Sequence, residues 1–153
     1  MIRLATPHDS VAAMDVVRRS IEFLCVVDHQ IDPDTRARWL ANKVPPMFET
    51  WIANSENFCV VAEVTGAVSG VGLLHRSGML RLFYVAPDCQ RRGLGRKIHE
   101  ALEAQARTWG LDRLYLESTR QACAFYESVG YRSAGAEKIL FGTLRGYPYE
   151  KFL

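Results

Sequence analysis

The chain has few residues in patterns that bind metal. Its four cysteines, Cys25, Cys59, Cys89 and Cys123, stand far apart with no Cys-x-x-Cys pair. That spacing predicts reduced thiols and no metal site. The four histidines, His8, His29, His75 and His99, form no His-x-x-x-His pattern. No apolar run approaches the length that crosses a membrane. The start, Met1 to Ala5, reads as a short strand rather than a signal-peptide core. A cytoplasmic protein with no membrane partner is the expectation. The formal net charge is only +2, too small to argue for nucleic acid in bulk. Internal repeats, low-complexity tracts and long linkers are absent. What remains is 153 residues, 48% hydrophobic and 24% charged, which fit a single domain spanning residues 1–153.

Hydrophobic periodicity orders the elements. Ile2 to Ala5 is a strand. Val11, Met14, Val17, Ile21 and Leu24 recur at helical spacing, so a helix capped by Thr6 or Asp9 is expected to run to about Val26. Asp32-Pro33-Asp34 starts another helix. Pro45-Pro46 breaks it, and Met47, Phe48, Trp51 and Ile52 suggest a further short one. Asn57 to Val64, Ala67 to His75 and Met79 to Val85 form a meander of strands joined at Thr65-Gly66 and Ser77-Gly78. Phe58, Val60, Ala62 and Val64 should share one face. Gly70 and Gly72 weaken the second of these strands or mark a bulge or close approach. A helix up to Trp109, capped by Gly110, separates this meander from a strand at Leu111 to Glu117, so the fourth and fifth strands should be parallel. A helix starting at Ser118 or Thr119 and ending at Gly130 follows. Two last strands fit Arg132 to Gly142 and Tyr149 to Leu153.

Between the fourth strand and its helix lies Gln90-Arg91-Arg92-Gly93-Leu94-Gly95-Arg96-Lys97. Helix N-termini carry unpaired N–H groups and the positive end of the macrodipole. Glycines let backbone approach an anion closely. The stretch therefore suits a phosphate-bearing ligand. It lacks the Gly-Lys-Ser/Thr ending of a Walker A loop. It also lacks the third glycine of a dinucleotide fingerprint, since that position is Ile98. The bland alternative is a basic helix start on a solvated surface.

Gln90-x-x-Gly93-x-Gly95, preceded by Val85-Ala86-Pro87, resembles the pyrophosphate loop of the GNAT N-acetyltransferase superfamily. A second stretch, Ala122-Cys123-Ala124-Phe125-Tyr126-Glu127-Ser128-Val129-Gly130-Tyr131, is similar to a helix of that family, and the tail Pro148 to Leu153 to its closing strand. Thr119 stands where many members have asparagine. The resemblance implies an α+β fold (α/β in some schemes). Its mixed, mostly antiparallel sheet has six or seven strands and helices on both faces, and central strands 4 and 5 are a parallel pair that splay apart. It implies acetyl-CoA as acetyl donor, a primary amine as acceptor and direct attack in a ternary complex, with no metal. Cofactor contacts would come from Phe83, Tyr84, Val85, Gln90, Arg91, Arg92, Gly93, Leu94, Gly95 and Arg96. Tyr126 would be the general acid.

An attacking amine must be neutral, and a lysine-like amine is so in only about one molecule in 2,500 at pH 7. A base or a water chain must take its proton. Many relatives use a glutamate on the fourth strand, but Met79 to Val85 has no carboxylate. Glu117 is the base candidate, with Glu63, His75 and a water relay as alternatives. Two other readings compete. One is a catalytically idle acyl-CoA-binding module, a sensor or interaction protein. The other is a nucleotide-binding or nucleic-acid-binding protein using Arg91, Arg92, Arg96 and Lys97, against which near-neutral charge and the lack of interleaved aromatics weigh. A homodimer is compatible with the sequence.

Overall fold

The computed structural model describes residues 1–153. β1 (Ile2–Leu4) is followed by a 3-10 turn, Pro7–Asp9, then by α1 (Ser10–Leu24), α2 (Val26–His29), α3 (Pro33–Leu40) and α4 (Pro45–Ala53). The first long helix stops at Leu24 rather than Val26, and Cys25 breaks the ladder before the separate turn of α2. Asp9 does not cap α1 with its side chain. Its carboxylate instead accepts from Thr6 N–H at 2.8 Å and from Arg3 at 2.8 and 2.9 Å. Asp32 caps α3 as expected, accepting from Thr35 N–H at 3.0 Å.

The meander is β2 (Asn57–Val64), β3 (Ala67–His75) and β4 (Leu80–Val85), with β1 on its outer edge, all antiparallel. Positive φ at Thr65 (50°) and Gly66 (79°) gives the first hairpin its tight turn. The middle strands are not buried on one face only. Cys59 to Ala62 are all buried, as are Val71, Leu73 and Leu74. The sheet is covered on both sides, so the alternation expected of a half-exposed strand is lost. α1 packs on β3 and β4. α5 (Leu94–Thr108) also packs on β3, through Ile98. Gly70 and Gly72 mark that close approach.

β5 (Arg113–Ser118) meets β4's lead-in only at a parallel bridge, Met79 to Tyr115, beside a Tyr115 N–H bond to Gly78 O at 3.0 Å. Beyond it the strands part. A register shift at Leu80 to Leu82 marks a bulge in β4 at the point of divergence. The splayed parallel pair is therefore present, and it divides the strands into two four-stranded sheets rather than one continuous sheet. After α6 (Cys123–Ser128), the C-terminal region forms β6 (Arg132–Ser133), β7 (Lys138–Phe141) and β8 (Leu144–Phe152), so there are eight strands, not six or seven. β8 begins five residues earlier than the sequence suggested. Gly146 and Pro148 look like breakers locally, but pairing with β5 on one edge and with β6 and β7 on the other overrides them. No helix is long and apolar enough to cross a membrane.

Candidate active site

The divergence of β4 and β5 opens a cleft of about 590 Å³. Phe83, Tyr84 and Val85 form one wall. Ser118, Thr119, Gln121 and Ala122, at the end of β5 and the start of α6, form another. Ser20, Leu24 and Cys25 of the α1 end close a third side, and the glycine-bearing loop closes the fourth.

That loop is built by left-handed backbone. Arg91 has φ 62° and Gly93 φ 76°, and such alternation turns successive N–H groups inward into an anion-binding concavity. No backbone carbonyl in the chain accepts from the N–H groups of Gln90 to Arg96; the first helical bond is Lys97 N–H to Gly93 O at 3.2 Å. Gln90 ties the loop down. Its Nε2 donates to Val85 O at 3.0 Å and Ala86 O at 3.3 Å, so its side chain shapes the cradle while its N–H stays free. Leu94 is buried, and only its backbone can meet a ligand. Arg91 and Arg96 line the cleft; Arg92 lies outside it. A Cβ at Gly95 would press on the Phe125 ring at 3.0 Å. The close approach there is therefore to α6.

The Val85 backbone faces the cleft. Ala86 N–H donates back to Ser69 O on β3 at 2.8 Å, so strand alternation points Val85 the other way. Its carbonyl accepts from Ser20 Oγ at 2.7 Å as well as from Gln90.

Tyr126 also lines the cleft, with its ring packed among Phe83 (5.8 Å), Phe125 (5.5 Å) and Tyr131 (5.4 Å). It is 5% exposed, and burial is the main force raising its phenol above the ordinary value, with Tyr84 and Cys123 adding to it. Tyr131 N–H donates to Tyr126 O at 3.0 Å past Gly130, closing the helix end. Glu117 reaches the cleft, but its carboxylate is ion-paired with Lys138 of β7. Glu63 and His75 do not line it. Glu63 is held by Arg3 at 2.8 Å and His75 by Ser77 at 2.9 Å.

The comparisons with known proteins fit this geometry. Residues 27–153 match the family described as an acetyltransferase (GNAT) domain. The chain belongs to the GNAT acetyltransferase family. A [ribosomal protein bS18]-alanine N-acetyltransferase of Salmonella typhimurium is 41% identical over 71 residues, covering 43% of this chain and 48% of that protein. The chain spans about half the length of the curated relatives it matches. Likeness of fold is wider. A GCN5-related N-acetyltransferase from Rhodopseudomonas palustris superposes with TM-score 0.88 at 22% identity, over 100% of this chain and 95% of that one. The PaiA N-acetyltransferase of Thermoplasma acidophilum, in complex with coenzyme A, superposes with TM-score 0.84 at 16% identity, over 100% and 98%.

The motifs pointed to the loop, to β4 and to Tyr126. They were silent on Ser20, Leu24, Cys25 and Gln121: Leu24 had only the periodicity of its helix, and all four reach the cleft only through packing.

Proposed function

We propose that this GNAT-family domain, formed by residues 1–153, moves an acetyl group from acetyl-CoA to a primary amine in a ternary complex. The observation that carries the reading is the row of unpaired N–H groups from Gln90 to Arg96, opening into a cleft that also holds the Tyr126 phenol. Most of these residues are exposed and water can meet their N–H groups, but their convergence at a helix N-terminus favours an anionic ligand in its place. A pyrophosphate on the loop backbone would be supported by Arg91 and Arg96. The pantetheine arm would run along the cleft-facing backbone of Phe83 to Val85, and the Val85 N–H would polarise the thioester oxygen.

In the transfer step the amine nitrogen bonds to the thioester carbon, the C–S bond breaks, and the sulfur leaves with the bonding pair. The amine's proton goes to Glu117 or water; the sulfur takes one from Tyr126. Because burial disfavours the phenolate, the phenol acts chiefly as a hydrogen-bond donor to the departing sulfur. Where the proton crosses fully to the sulfur, water returns one to the phenol oxygen in the same event, so no phenolate accumulates. Cys25, on the cleft wall, has its thiol pushed up to about 12 by burial. That disfavours the thiolate a covalent acetyl-enzyme would require there.

One observation favours an idle acyl-CoA-binding module instead: β4 has no carboxylate and Glu117 is committed to Lys138. Calorimetry with acetyl-CoA, followed by thiol release in the presence of amines, separates the two. A relative's name specifies an alanine of ribosomal protein bS18, so a peptide with a free amino-terminal alanine leads the acceptor panel, beside a lysine peptide and a polyamine. Binding with acceptor-dependent thiol release and an acetylated product supports the enzyme. Binding without turnover on any acceptor supports the module, and no binding overturns both.

A further inference from the structure

Asp28 lies on α2, outside every motif described above. It is 4% exposed. Its Oδ1 accepts from Arg120 N–H at 2.6 Å and its Oδ2 from Gln121 N–H at 3.3 Å. These amides belong to the turn between β5 and α6, more than ninety residues away. Residues on both sides of this contact line the cleft: Leu24 and Cys25 precede α2, and Thr119, Gln121 and Ala122 flank the turn. The Asp28 carboxylate thus joins two walls of the cleft that share no backbone ladder.

Both partners are otherwise held. Thr143 Oγ1 donates to Asp28 O at 3.4 Å and His29 O at 3.0 Å, and Thr143 N–H donates to Thr35 Oγ1 at 3.0 Å, fixing α2 and α3 to the turn before β8. Thr119 Oγ1 accepts from Ala122 N–H at 3.2 Å, shaping the turn itself. β8 already links the two units indirectly, since Thr143 precedes it and it pairs with β5 up to Ser118; Asp28 supplies the direct bond between α2 and the turn itself. A buried carboxylate is expensive to desolvate, and burial does raise the Asp28 pKa. Two N–H donors offset part of that cost. A leucine at this place would bury more apolar surface but would leave both amides without an acceptor.

We infer that Asp28 is a positioning residue, a clamp that holds the Thr119–Ala122 wall against α2 and so sets the width of the cleft. The inference rests on the acetyl-CoA reading of that cleft. Its chemistry differs from that of the glycine loop. The turn's one cation, Arg120, does not line this cleft, and Ser118, Thr119, Gln121 and Ala122 carry none, so loosening this wall affects a donor with phosphates and one without them alike.

The test compares acetyl-CoA with acetyl-pantetheine, by calorimetry well below the melting point. Asp28→Asn keeps the shape but turns an N–H donor toward one of the two amides; Asp28→Ala removes both acceptors. Weakening of about tenfold in Asp28→Asn, larger in Asp28→Ala and equal for the two donors, supports the clamp. Asp28→Asn that melts lower yet binds both donors as wild type overturns it, leaving a structural role alone. So does a loss confined to acetyl-CoA, which places the effect at the phosphates. Amide exchange in the wild-type protein needs no variant. Arg120 and Gln121 should be protected like the amides within β5, and exchange at the open-chain rate overturns the clamp. Wild type that binds neither donor overturns the cofactor reading, and the clamp with it; wild-type binding with unchanged variants overturns the clamp only.

Discussion

Ile98 of α5 stands directly over Gly72 of β3, so close that a Cβ on the glycine would lie 2.5 Å from Ile98 Cγ2 and 3.2 Å from Leu102 Cδ1. Ile98 and Leu102 are fully buried and cannot swing away. The helix that follows the glycine loop therefore rests on a strand stripped of side chains at two alternate positions, Gly70 and Gly72.

Gly72→Ala should destabilise the fold by about 1–3 kcal/mol, the usual range for overpacking a close-packed core. Urea unfolding measures it. Gly135→Ala is the control: nothing lies closer than 3.8 Å to the added Cβ, and the change should stay within about 0.5 kcal/mol. Equal stability of both variants would show that α5 yields without cost.

The two loop glycines should fail for different reasons. Gly93 has φ 76° and open space around its missing Cβ. Gly93→Ala then acts through left-handed strain of about 1–2 kcal/mol, and no second mutation relieves it. Gly95→Ala acts through the 3.0 Å approach to the Phe125 ring, and Phe125→Leu should restore part of the lost acetyl-CoA affinity. Calorimetry on the four proteins decides. Rescue of Gly93→Ala by Phe125→Leu would contradict the distinction.

Tyr126→Phe keeps the ring among Phe83, Phe125 and Tyr131. If the hydroxyl donates to the leaving sulfur, kcat should fall about 10²–10⁴-fold while the acetyl-CoA Kd stays within a few-fold of wild type. Because burial raises this phenol, its ionisation should cause no loss of activity below about pH 10. Single-turnover rates against pH test both points. A wild-type rate in the Phe variant assigns the proton to water.

His99 should make the protein acid-sensitive. The ring is 3% exposed, its Nε2 lies 2.9 Å from Tyr131 Oη, and burial, with Lys151 and Arg96 nearby, lowers its pKa to about 4 against a partial opposing effect of Glu103. The unfolded chain, with an ordinary value near 6.5, binds the proton first. The stability from the neutral ring is therefore whole above about pH 6.5 and is lost as pH falls toward about 4, by roughly 3 kcal/mol in all. His99→Gln should flatten the decline in melting temperature over that window. An unchanged slope would place the acid sensitivity elsewhere.

Local chemistry determined a good deal of this protein. The glycine loop, the Thr65-Gly66 hairpin, the Asp32 cap and the parallel relation of β4 and β5 were all legible, because each depends on residues near one another in the chain. The exposed N–H groups of Gln90 to Arg96 were legible for the same reason: a helix start with glycines leaves such groups without backbone acceptors wherever it occurs. Tyr126 was legible only through the motif it shares with a family, since its spacing also suits a core face.

Long-range pairing decided the rest. By sequence alone the last strand starts only at Tyr149, yet β8 runs from Leu144 through Gly146 and Pro148 because neighbouring strands on both edges pair with it. Glu117 is one base candidate among several, and Lys138, twenty-one residues on, pairs with its carboxylate. Arg92 carries the same charge as Arg91, but the turn of the loop leaves it outside the cleft. Asp28 had no pattern around it at all. A sequence determines which groups need a partner; which partner each obtains depends on distances that close only when the chain is packed.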